Sequence, residues 1–248
     1  MSDITTKILS ENDIKELDEK FHFLKNITQF SSIFKDWYYV PTHQHGYEKL
    51  KKINVIFIGQ TGYGKSSLIN KIIKKDVFET SDYQSCTKSL QCADYFLHYD
   101  KGHGNLVYVL SFVDLPGIGE NEKSDELYLQ WYQNYISEAA VIVYLFRADK
   151  RDHTQDEFFF KNVFNKNLSV KLICVIAQSD KVEPLSRGSE LSNEQKRNLE
   201  IKELEIKNKP FLAFNDLPVI HVSSHLNINV EKLKDEIIKK INSMKEIS

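Results

Sequence analysis

The run GQTGYGKSS, Gly59 to Ser67, crowds glycines around one lysine and ends on paired serines. Gly59, Gly64, Lys65 and Ser66 fit the spacing G-x-x-x-x-G-K-[ST]. In such a loop the backbone N–H groups of Gly59, Gln60, Thr61, Gly62, Tyr63 and Gly64 curl around an anion. A following helix adds partial positive charge at its N-terminus. Lys65 would reach the outer phosphates of a nucleotide, and Ser66, with Ser67 beside it, would offer a hydroxyl to Mg²⁺. The plainer alternative is a glycine-rich turn with no ligand. The flanks argue against it. Val55, Ile56, Phe57 and Ile58 suit a buried strand before the loop, and Leu68, Ile69, Ile72 and Ile73 follow at helical spacing.

A phosphate cradle does not say which nucleotide it serves, so the other strand ends matter. FVDLPGIGE, from Phe112, places Asp114 where an apolar strand stops and Gly117 three residues on. The Asp114 carboxylate can hold Mg²⁺ through water. Gly117 lets its own N–H approach a terminal phosphate, because no side chain intervenes. A metal-sensing threonine in a mobile loop is expected between these two stations. Thr87, just before a strand, is the candidate, and Thr80 is the alternative. Further on, CVIAQSDKVEP carries Gln178, Asp180 and Lys181 past a strand end. Asp180 can accept both N1–H and the exocyclic N–H of guanine. Adenine lacks that donor pair, so an unpaired-group cost discriminates against it. In VIHVSSHLN, Ser223, Ser224 and His225 follow the last strand, where a backbone N–H can meet the guanine O6.

These loops need a scaffold that gathers strand ends on one edge. Strand-like runs fall at 53–58, 92–99, 106–113, 141–146, 172–176 and 219–222, with helical patterns near 65–74, 124–137, 155–163, 193–206 and 230–241. That alternation predicts a mostly parallel six-stranded sheet with helices on both faces. The polar connection 100–105, with His103, predicts a hairpin, so the strand at 92–99 is expected as an antiparallel edge strand. Residues 1–50 read as a helical N-terminal extension to a nucleotide-binding domain of residues 51–248. Ile14, Leu17, Phe21, Leu24 and Ile27 sit at helical spacing behind Ser10 and Asp13. Phe30, Ile33, Phe34, Trp37 and Tyr38 continue the pattern until Pro41. His43 and His45 lack a visible third ligand and read as loop residues.

Composition narrows the class. A net charge of −2 gives no push towards nucleic acid or anionic membrane, so direct nucleic-acid binding is not indicated. Cys86, Cys92 and Cys174 are an odd set without metal-ligand spacing, which fits a reducing, cytoplasmic setting. The charged first twenty residues do not read as a secretory leader, and the apolar run at 139–146 is too short to span a bilayer.

GQTGYGKSS, the threonine of SCTK, DLPG, AQSD and VSSH stand in the order of the five motifs of P-loop GTPases. The chain resembles their translation-factor (TRAFAC) class, in the Era-like branch. It is similar to the YeeP/YfjP-like bacterial GTPases described as ribosome-binding. The resemblance covers residues 53–245. It implies a three-layer P-loop NTPase fold and hydrolysis of GTP to GDP as a conformational switch, with Lys65, Thr87 and Gly117 in the catalytic group. Ser66, Thr87 and Asp114 would serve Mg²⁺. The partner is expected to be an unidentified protein or ribosomal one, or a second copy in a nucleotide-dependent homodimer.

This chain departs from the family pattern. The fourth motif, usually N/T-K-x-D, reads Ala177, Gln178, Ser179, Asp180, so selectivity rests mainly on Asp180. Ile118 stands where Ras-like proteins place a water-orienting Gln, so intrinsic hydrolysis is expected to be slow. Gly62 occupies the place of an Asn that recruits K⁺ in some relatives, so no K⁺ stimulation is expected. Arg147, in a charged cluster with Asp149, Lys150, Arg151 and Asp152, is read as a solvated group or as a finger acting across a dimer. Two further functions stay open: an assembly protein that binds nucleotide with negligible turnover, and an ATPase. A membrane-remodelling GTPase ranks below both for want of a long helical stalk.

Overall fold

The computed structural model describes residues 37–42, 46–74, 76, 78, 91–100, 105–117, 132–133, 135–164, 166–185, 190–212, 214 and 217–243. Among the described residues seven strands form one sheet: β1 (Trp37–Thr42), β2 (Gly46–Gly59), β3 (Gln91–Asp100), β4 (Asn105–Asp114), β5 (Ala139–Arg147), β6 (Leu172–Ala177) and β7 (Val219–His221). The order is β3-β4-β2-β5-β6-β7, with β1 paired to β2. β4, β2, β5, β6 and β7 are parallel. β3 runs antiparallel to β4, from Gln91 opposite Asp114 to Asp100 opposite Asn105.

β5 shows why these strands are apolar throughout. Val141, Val143 and Leu145 face a core shared with α1 (Lys65–Ile73) and α4 (Val230–Ser243), built from Ile69, Ile72, Leu233 and Ile237. Ile142, Tyr144 and Phe146 point the other way, into a second core. Phe159 and Phe160 of α2 (Thr154–Val163) and Leu199 and Ile206 of α3 (Asn193–Lys207) complete it. A strand covered on both faces has no polar alternation to show. The result is a three-layer α/β arrangement.

β2 and β1 correct the reading of the first fifty residues. The strand expected at 53–58 begins at Gly46, so the boundary placed after residue 50 falls inside β2. Trp37 and Tyr38, read as the end of a helical pattern, lie on β1. WYYV is aromatic and β-branched, which favours a pleated surface, and Pro41 is tolerated on a strand paired along one side only. β4 pairs with 49–57 of β2 and β1 with 46–51, so β1 occupies the side of β2 that β5 takes over from Asn54. With β1, the described residues hold seven strands where six were expected.

The other pairings bring the ends of β2, β4, β6 and β7 to one edge, the usual ligand edge of an open α/β sheet. α3 braces that edge. A capping box between Ser192 and Gln195 starts the helix. Gln195 Nε2 and Asn198 Nδ2 donate to the carbonyls of Val182 and Glu183, just past the β6 loop. The expected helical extension before Trp37, Thr80, Thr87, Cys86, His43, His45, His103 and Ile118 lie outside the described residues. So does most of the helix expected at 124–137, apart from helical residues that lead into β5.

Candidate functional site

The glycine loop closes on itself before α1 begins. Tyr63 N–H donates to the Gln60 carbonyl at 3.2 Å, and Leu68 N–H to the Gly64 carbonyl at 2.9 Å. Gly64 is the N-cap with φ 85°, a left-handed conformation in which a Cβ would be strained. Lys65 is 6% exposed, and its Nζ donates to the Gly59 carbonyl at 3.2 Å, folded back across the loop.

The strand end of β4 meets this loop directly. The Ser66 hydroxyl donates to the Asp114 carboxylate, which is fully buried. Leu115 N–H donates to the Phe57 carbonyl at 3.3 Å, and the Tyr132 hydroxyl donates to the Pro116 carbonyl. Gly117 then lies flat against the loop: a Cβ there would sit 2.2 Å from Thr61 Oγ1 and 2.5 Å from Thr61 N. The paired hydroxyl and carboxylate are hard oxygen donors, the set that suits Mg²⁺, which keeps several waters and takes few protein ligands. Among the described residues no cluster of three or more His, Cys, Asp or Glu offers another metal site.

On the other side, β6 delivers Gln178, in the left-handed region at φ 55°. Its Nε2 donates to the Gly62 carbonyl at 2.9 Å. The altered fourth motif is therefore still tied to the phosphate loop, by a neutral amide. Asp180 follows in a short 3₁₀ turn, Ser179–Lys181, and accepts from Ser223 Oγ at 2.5 Å. Ser223 Oγ in turn accepts from Leu226 N–H at 3.0 Å. Ser223 was expected among the backbone donors to the base, and here the structure differs. Its N–H donates to the Ile228 carbonyl at 3.2 Å, and its hydroxyl orients Asp180. Asp180, Lys181, Ser224 and His225 line a cleft of about 900 Å³ together with Tyr63, Gly64 and Ser67. Lys71 and Lys74 of the α1 side, which sequence patterns did not single out, line it too.

Residues 54–216 match the family described as 50S ribosome-binding GTPase. The chain belongs to that family. It is a P-loop GTPase of the TRAFAC type. The protein YfjP of Escherichia coli K12 is 33% identical over 187 residues, covering 73% of this chain and 60% of YfjP. The probable GTP-binding protein EngB of Thermotoga petrophila is 26% identical over 190 residues, 75% of this chain and 85% of EngB. Era of Aquifex aeolicus, solved with GDP·AlF₄⁻, superposes with a TM-score of 0.57 at 22% identity, over 77% of this chain and 57% of Era. That likeness is one of fold.

Two further features of this GTPase domain bear on the expected residues. Arg147 is held in its own chain: Nε and Nη2 donate to Asp149 Oδ1 and Oδ2 at 2.6 and 2.7 Å. This bidentate hydrogen bond holds the Asp149 carboxyl below the usual carboxylate range. An arginine so engaged must first release Asp149 to act across a dimer. Cys174 is buried in β6, and burial pushes its thiol pKa up, as for an inert core residue.

The Gln178 tie carries a prediction. Gln178→Ala removes one neutral hydrogen bond between the base loop and the phosphate loop. GDP affinity measured by calorimetry is expected to fall about three- to tenfold, the worth of one such bond. An unchanged affinity would show that the tie does not support binding.

Proposed function

We propose that this GTPase domain binds GTP and GDP in the cleft and hydrolyses GTP to GDP and phosphate as a Mg²⁺-dependent conformational switch. One observation carries the reading: the Ser66–Asp114 pair, the phosphate loop and Asp180 converge at one sheet edge, with Gln178 bridging two of them. Magnesium, when bound, would neutralise charge on the outer phosphates. Ser66 and Asp114 would hold it, with Thr87 proposed as the third group. Lys65 would exchange the Gly59 carbonyl for a phosphate oxygen. Gly117 would offer its N–H to the terminal phosphate. Asp180, oriented by Ser223, would read the base, while Ser224 and His225 close its far side.

Slow intrinsic turnover belongs to the same proposal. Ile118 cannot orient water, and Arg147 is occupied by Asp149. A partner, protein or ribosomal, or a nucleotide-dependent homodimer would supply what is missing. The N-terminal extension would pass the conformational change to it. This chain spans 60% of the length of YfjP, so the activity and partners of that whole protein come here only as proposals. No helix among the described residues is long and apolar enough to cross a membrane. A cytoplasmic setting is proposed from the cysteine pattern.

Calorimetric titration of the full chain with GDP and with ADP, each with Mg²⁺ and with EDTA, tests the reading alongside phosphate release from GTP. Binding of GDP and not ADP is expected, with Mg²⁺-dependent release of phosphate. Equal binding of ADP would overturn the guanine assignment in favour of an ATPase. Tight GDP binding with no phosphate release, even at high protein concentration, would leave an assembly role without turnover.

A further inference from the structure

Gln60 lies in the phosphate loop, yet it is only 6% exposed. Its carboxamide is engaged at both ends. Oε1 accepts from Lys150 Nζ at 2.7 Å, and Nε2 donates to Asp156 Oδ1 at 3.1 Å. Turning the amide over would set its NH₂ against the ammonium and its oxygen against the carboxylate. The two contacts therefore lock one orientation.

Asp156, in the first turn of α2, is fully buried. A buried carboxylate is costly unless donors surround it. Three do so: Gln60 Nε2 and the Tyr144 hydroxyl (2.8 Å) at Oδ1, and His153 Nδ1 at 3.0 Å from Oδ2. With its proton on Nδ1, the His153 ring presents Nε2 as an acceptor to Lys202 Nζ, 3.3 Å away. Lys202 Nζ also donates to the Lys150 carbonyl at 2.7 Å and to Glu205 Oε2 at 3.2 Å. One lysine of α3 thus supports both groups that grip Gln60. The grip matters because Gln60 sits between Gly59, whose carbonyl receives Lys65, and Thr61, which abuts Gly117.

We propose that Asp156 is a positioning residue of the nucleotide site: through Gln60 it sets the backbone of the phosphate loop between Lys65's anchor and the Gly117 turn. The inference rests on the nucleotide reading of that site and names a residue on a different element, 96 positions away in sequence.

A double-mutant cycle on the full chain tests it, with two readouts: the release rate of fluorescent GDP, and the thermal midpoint without nucleotide. Asp156→Ala is expected to speed release about tenfold, the kinetic equivalent of one lost charge-assisted bond. In a Gln60→Met background the same change is expected to alter release by less than about twofold while still lowering the midpoint. Tyr144→Phe removes another donor from the same Asp156 oxygen. It is expected to lower the midpoint and leave release within about twofold of wild type. Should Asp156→Ala fail to fold, Asp156→Asn keeps the volume and weakens the hold on Gln60, with release expected to rise about threefold. If the two single effects multiply in the double variant of a protein that binds GDP, the inference fails alone. If the wild type binds no fluorescent GDP, the nucleotide reading falls and this inference with it.

Discussion

Asp180→Asn is expected to weaken GDP binding by about 10²- to 10³-fold and to create binding of XDP. The carboxylate would accept two guanine donors, each a charge-assisted bond worth about 1.5–3 kcal/mol. An asparagine offers one acceptor and turns its NH₂ against the second guanine donor. Xanthine carries an oxygen there, which the same NH₂ can meet. Ser223 remains able to donate to the asparagine carbonyl, so the loop keeps its shape. Calorimetry with GDP, XDP and ADP on both proteins reads the exchange. If GDP affinity is unchanged in the variant, Asp180 does not read the base, and the guanine assignment fails.

Gly117→Ala is expected to slow single-turnover GTP hydrolysis about 100-fold while lowering GDP affinity by less than about tenfold. The added methyl would lie 2.2 Å from Thr61 Oγ1, a contact that a side-chain rotation can relieve. It would also lie 2.5 and 2.6 Å from Thr61 N and Cα, which rotation cannot relieve. Either the turn after Asp114 or the phosphate loop must move by about an ångström, at about 1–3 kcal/mol of overpacking. On the proposed reading GDP would need the loop but not the turn at Gly117, so the two readouts are expected to separate. A folded variant that hydrolyses GTP at the wild-type rate would remove Gly117 from the catalytic group.

The residues now joined at the site were unequally legible in the sequence. Gly64, Lys65 and Ser66 announce themselves because the backbone geometry demands small residues at fixed spacing between a strand and a helix. Asp114 and Gly117 follow from a strand end and a breaker. For Ser223 the sequence left open whether its N–H or its hydroxyl acts, since a serine after a strand can use either; in the structure the N–H is taken by the Ile228 carbonyl and the hydroxyl by Asp180. The Gln60–Asp156 contact leaves no local signal, because a single long-range pair has no periodicity. β1 and the first half of β2 were obscured by a different cause. WYYV reads as an amphipathic helix end as readily as a strand, and GYEKLKK breaks the apolar run that marks the rest of β2.

β1 and β5 lie end to end along one side of β2, and that arrangement has a mechanical meaning. A pull on the chain before Trp37 loads the pair Trp37–Lys51 first and then peels β1 away rung by rung to Thr42–Gly46. The β2–β5 rungs from Asn54 to Gly59, which lead into the glycine loop, belong to a different set. The sheet is built with a tear line: β1 can part from β2 without opening any rung between β2 and β5.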